Sequence, residues 1–174
     1  LPWIGLFNKI GLIDTFCLFD IVQYQRKDFN NRNKIILNNN ARWLTVPVYD
    51  SGRFDKKISD IRIYDNNWKK KHLKTIEQSY KKTKYFDDYF YSLSKILNSD
   101  FKFLVDLNFS ILLYFLDALG MKKRVIKASD FNFKGAKSDL VLDMCIKLKA
   151  KKYIFGSQGK NYCDQESFKK NSIE

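Results

Sequence analysis

"LPWIGLFNKIGLIDTFCLFDIVQYQ" (residues 1–25) decides the fold class of this chain. Pro2 suits the first turn of a helix, where its missing N–H leaves no hydrogen bond unmade. Trp3, Ile4, Phe7, Ile10 and Ile13 recur at helical spacing. "TFCLFD" (residues 15–20) then switches to a short β-rich run that closes on a carboxylate. A helix followed at once by a strand is half of a strand–helix–strand unit. The expectation is that a first strand precedes Leu1 and that the chain is a piece of a larger protein.

Downstream of this stretch, "NKIILN" and "RWLTVPV" flank the asparagines at 38–40, which predicts a β-hairpin over about residues 33–48. Pro47 marks an edge or a strand end. "KISDIRIY" reads as another short strand. Helical patterns then fill about residues 67–119: one from Asn67, the expected cap, through Lys82, one over 86–97, and one over 103–119 stopping at Gly120. "KRVIKAS" reads as a strand, "SDLVLDMCIKLKA" as an amphipathic helix, and "KYIFGSQGKNY" as a strand running into a glycine loop. Strands alternating with helices predict an α/β fold: a mostly parallel, Rossmann-like sheet with a helical insertion and the hairpin.

The 174 residues are 45% apolar and 16% aromatic, with two prolines and seven glycines, which predicts one domain over 1–174. The formal charge of +13 raises nucleic acid as a partner. Composition argues against it, because the 26 lysines are dispersed and arginines number only 6, whereas phosphate sites favour the bidentate guanidinium. An anionic small-molecule substrate fits the same field. Cys17, Cys145 and Cys163 form neither a disulfide framework nor a zinc pattern, which implies a reducing, cytoplasmic setting. The most apolar run, residues 103–120, carries Asp106, Asn108 and Asp117 and is too short to span a bilayer, which needs about 20 apolar residues. No cofactor or metal is assigned.

His72, the only histidine, shares a helical row with Trp68 and Ile76, with lysines nearby that resist its protonation. A lone helical histidine is more often a packing residue. A neutral imidazole in this setting is also fit to act as an acid–base group. Asp20 and Gln23 follow the first strand, where parallel sheets place ligands; the plain alternative is a turn-stabilising carboxylate. Arg32 and Asn33, beside Asn31, offer a guanidinium and amides ahead of the hairpin, suited to a phosphate or carboxylate or else simply to a solvated loop. Ser157 and Lys160 in "GSQGKNY" present a hydroxyl and an ammonium to an anion, although the loop lacks Walker or GxGxxG spacing. Cys17 and Cys145 read as buried apolar residues, and the tyrosines and phenylalanines of residues 80–90 as packing.

Taken together and in order, "LPWIGLFNKI", "DTFCLFDIVQYQ", "NRNKI", "WLTVPV", "WKKKHLKTIEQSYKKTKYF", "LVDLN" and "YIFGSQGKNY" resemble the WbqC-like protein family of bacterial surface-polysaccharide clusters. The resemblance spans nearly the whole chain. It implies a short strand and a His-Gln-Pro-like stretch before residue 1, and further chain after residue 174. It also implies a context, the modification or assembly of surface sugars such as O-antigen. The expected function is a transferase acting on a nucleotide-activated amino sugar, with group transfer to the sugar amine. His72 and Asp20 are the expected catalytic pair, and Gln23, Arg32, Asn33, Ser157 and Lys160 the substrate contacts. The alternatives are a nucleotidylyl-transferase-like enzyme with its nucleotide near Gly5 and Ser157, and a non-catalytic scaffold of the same pathway. The scaffold reading draws on the absence of any self-sufficient catalytic motif.

Overall fold

A computed structural model describes residues 2–49, 56–156, 159 and 163–174. The chain divides into two compact units, Leu1–Ser129 and Asp130–Glu174. The fold is mixed α/β, with a small parallel sheet and an antiparallel hairpin.

In the first unit, helix α1 (Ile4–Gly11) leads into strand β1 (Thr15–Leu18). β1 pairs in parallel with β4 (Arg124–Lys127), with Thr15 opposite Arg124 and Leu18 opposite Lys127. Among the described residues the parallel sheet holds these two strands. Everything between them is one long connection, which carries the expected hairpin and helical insertion.

The hairpin joins β2 (Arg32–Leu37) to β3 (Asn40–Thr45). Asn38 and Asn39 both have positive φ, 50° and 59°, which a two-residue turn of the I′ type requires and asparagine tolerates. β3 ends before Pro47, as a residue lacking an N–H demands.

"KISDIRIY" forms no strand. Ile58–Asp60 makes a single 3-10 turn, and Arg62 and Ile63 contribute only isolated bridges to Phe103 and Val48. The alternating pattern was real, but too few neighbours align to extend a ladder. The insertion then runs α2 (Asn67–Tyr80), α3 (Phe86–Asn98) and α4 (Leu104–Ala118). Asn67 is the first helical residue rather than the cap; the Asp65 carboxylate accepts its N–H at 2.8 Å. Gly120 stops α4 as expected: at φ +64° it lets Met121 N–H reach Leu116 C=O and its own N–H reach Asp117 C=O.

α4 carries the core of this unit on two faces. Leu104, Leu107 and Ile111 pack with Val46, Ile61, Trp68 and Leu97, while Leu112 and Leu116 pack with Ile10 under the sheet. Each fully buried aliphatic chain contributes about 1.5–3 kcal/mol. Lys69, buried on α2, closes the C-terminal end of α3. Its ammonium donates to the carbonyls of Asn98 (3.3 Å) and Ser99 (2.8 Å) and pairs with Asp100.

The second unit holds α5 (Lys137–Lys147) and α6 (Gln165–Lys170). Cys145 is buried on α5, and burial pushes its thiol up to about 11, in keeping with an inert apolar role. Residues 153–156 form no strand. Tyr153 N–H instead bonds Glu174 C=O, and Phe155 packs on Phe168.

Candidate active site around His72

α2 lies against the hairpin, with the Tyr80 hydroxyl accepting the Ile36 N–H at 3.1 Å. Strand alternation splits the hairpin into two faces. On the outer face Trp43, 41% exposed, has the Arg32 guanidinium 4.1 Å from its ring centre and the Lys34 ammonium at 4.8 Å. On the inner face Asn33, Ile35 and Leu44 close over α2.

Between hairpin and helices lies a cavity of about 120 Å³, walled largely by Leu44, Val46, Leu93, Leu97, Ile111 and Phe115. Trp68, His72 and Ile76, the helical row read from the sequence, all face it. His72 is only 5% exposed. Its ring sits edge-on to Trp68, 4.9 Å between centres. Burial pushes its pKa down to about 4; a hydrogen bond to the Thr45 backbone opposes the shift, and the Lys71 charge adds to it. The imidazole is therefore neutral at physiological pH, with proton-accepting capacity inside an apolar pocket.

This burial has a measurable acid signature. The unfolded chain takes up a proton near pH 6.5 that the folded chain refuses until about pH 4. Stability is unaffected above that window and falls as pH drops through it, by about 1.4 kcal/mol per pH unit and about 3 kcal/mol in all. Denaturant midpoints measured from pH 7 to 4 check this, and a His72→Gln chain loses that part of the slope.

The remaining expected site residues are placed in three different settings. Asn33 shares the cavity with His72; its amide donates to Pro2 C=O, and its side-chain oxygen accepts the Lys34 N–H. Arg32 lies on the outer face and donates to Lys27 C=O. Asp20 is fully buried just beyond the carboxyl end of β1, and its two oxygens accept the Ser129 N–H (2.9 Å) and hydroxyl (2.6 Å). Gln23 bridges Lys57 in a short ladder, within which Ser59 N–H also bonds Asp20 C=O. No hydrogen bond joins His72 to Asp20 among the described residues. Ser157 and Lys160 lie outside the described residues. Gly5 has a packing reason, since the Trp3 ring occupies the space a Cβ there would fill. No cluster of three or more metal-ligating side chains exists among the described residues, and no helix there is long and apolar enough to cross a membrane.

Sequence reasoning missed two partners. Ser129, which secures Asp20, lies 109 positions away, and only its place just after β4 hinted at the pairing. Trp68 enters the sequence reading only as a member of the His72 row, yet its indole N–H is buried without an acceptor among the described residues, and the residue lines the cavity.

The family model of the WbqC-like protein family matches residues 1–174. The uncharacterized protein Rv1507c of Mycobacterium tuberculosis is 30% identical over 174 residues, covering 99% of this chain and 75% of the relative. No solved structure matches the chain significantly.

Proposed function

We propose, on the premise that the chain belongs to the WbqC-like protein family, that it is a transferase of surface-polysaccharide precursor biosynthesis. It moves an acyl group onto the amine of a nucleotide-activated amino sugar. The observation that carries this reading is a neutral imidazole facing an apolar cavity of acyl size. An empty apolar cavity of about 150 Å³ accepts benzene, so one of this size takes a group of a few carbons.

In this reading the donor is a thioester. The amine lone pair attacks the carbonyl carbon, the C–N bond forms, and the C–S bond breaks. His72 takes the proton from the attacking nitrogen and passes it to the departing thiolate. Neutral His72 is the form this step needs. Asn33 borders the same cavity, and the dispersed positive charge draws the anionic nucleotide moiety. Asp20, bonded to Ser129, orders the frame at the end of the parallel pair. The reaction is cytoplasmic in this reading.

The experiment is an acylation screen on the purified chain. It pairs acetyl- and propionyl-coenzyme A with nucleotide sugars bearing a free amine, and their hydroxyl counterparts serve as controls. Acylation confined to the amino sugars supports the reading. A flat screen from a cooperatively folded protein refutes it and moves the assignment to a non-catalytic binding protein.

A further inference from the structure

Trp68 is 6% exposed, and its buried indole N–H has no acceptor among the described residues. A buried donor left in that state is destabilising, and native structures rarely tolerate it without a use. The cavity that Trp68 lines is otherwise apolar, apart from Asn33, Lys34 and His72. The Asn33 amide is engaged by Pro2 and Lys34, and the Lys34 ammonium lies over the outer ring of Trp43. A tryptophan with an unsatisfied donor and a neutral imidazole therefore line one apolar space of about 120 Å³.

A hydrocarbon would fill that space and leave the N–H stranded. A charged group would meet walls that cannot solvate it. A small group with one neutral acceptor satisfies both requirements. We propose that Trp68 is a ligand-binding residue whose indole N–H donates to the carbonyl oxygen of a short acyl group seated beside His72. This deepens the acyl-transfer reading and rests on it for the nature of the ligand. It also accounts for the spacing: Trp68 and His72, one helical turn apart on α2, address the two ends of one reaction. The first receives the oxygen on which charge grows, and the second receives the proton.

The test uses acetone as the probe, titrated into the full chain and followed by the indole N–H resonances of its three tryptophans. Isobutene, the same shape with a methylene in place of the oxygen, is the control. The expected result is a saturable downfield move of the Trp68 indole proton with acetone and none with isobutene. Trp68→Phe then weakens acetone about tenfold, the loss of one hydrogen bond, and leaves isobutene unchanged. If Trp68→Phe does not fold, the Trp68 resonance is assigned through its ring contact with His72, and the unmutated chain decides alone.

A Trp68 proton indifferent to acetone, or equally sensitive to isobutene, overturns the proposal. So does rapid exchange with water that acetone does not suppress, because the donor is then simply hydrated. The two readings fail separately. Acetone sensing without any acyl transfer keeps Trp68 and removes the transferase, whereas transfer with an unmoved Trp68 proton does the reverse.

Discussion

Replacing His72 with glutamine lowers amine acylation at least about a hundredfold while the protein still melts cooperatively. A positioned general base contributes about 10² to 10⁴ in rate, and His72 is the one imidazole on the cavity wall. The Lys34 ammonium is turned to the outer face over Trp43, and Asn33 is an amide. Glutamine keeps a polar group of similar reach and avoids the void that alanine would leave among Val46, Leu97 and Ile111. The pH profile carries the same information. Because burial holds the imidazole near 4, the rate rises as pH climbs through that region and is flat across neutrality as far as this group is concerned. An ordinary histidine would place the rise near 6.5. Turnover and melting temperature measured on the same preparation separate chemistry from folding. Undiminished turnover in the folded variant would remove His72 from the mechanism.

The largest stability effect is expected at Asp20. Its carboxylate is fully buried and accepts both the backbone N–H and the hydroxyl of Ser129, tying the end of β1 to the residues that follow β4. Hydrogen bonds to a charged group contribute about 1.5–3 kcal/mol each, part of which is offset by the desolvation the carboxylate no longer suffers in a variant. Asp20→Ala therefore costs about 3 kcal/mol, which lowers the melting temperature by roughly 10 °C in a chain of this size. Asp20→Asn keeps one acceptor and loses about half as much. Ser129→Ala removes only the hydroxyl bond and falls below both. Calorimetry on the three variants checks the order. If Asp20→Ala melts with the wild type, the carboxylate does not hold the sheet.

How far the sequence discloses this molecule depends on the range of the interaction. The hairpin was legible because its turn is local: consecutive asparagines accept the positive φ that the turn needs. The ends of α4 and the row Trp68–His72–Ile76 were legible because helical periodicity and a glycine stop act within a few residues. "KISDIRIY" misled because alternation reports a half-buried extended segment, and whether it joins a ladder is decided by the distant residues Phe103 and Val48. Lys69 is one of the lysines near His72 in sequence, yet its ammonium crosses to the end of α3, thirty positions on, where it meets open carbonyls. The carboxylate at the strand end was visible, whereas its partner Ser129 was not. An unpaired indole N–H has no signature in sequence at all, because it is defined by what fails to surround it.

The proposed chemistry stands on His72 being held neutral within an apolar cavity, ready to accept a proton. As the only histidine in the chain, it gives a single ring resonance in a proton NMR titration. The expected midpoint is at about 4, with no titration between pH 6 and 8. A midpoint near 6.5 would mean a hydrated imidazole and would contradict the site on which the proposed chemistry stands.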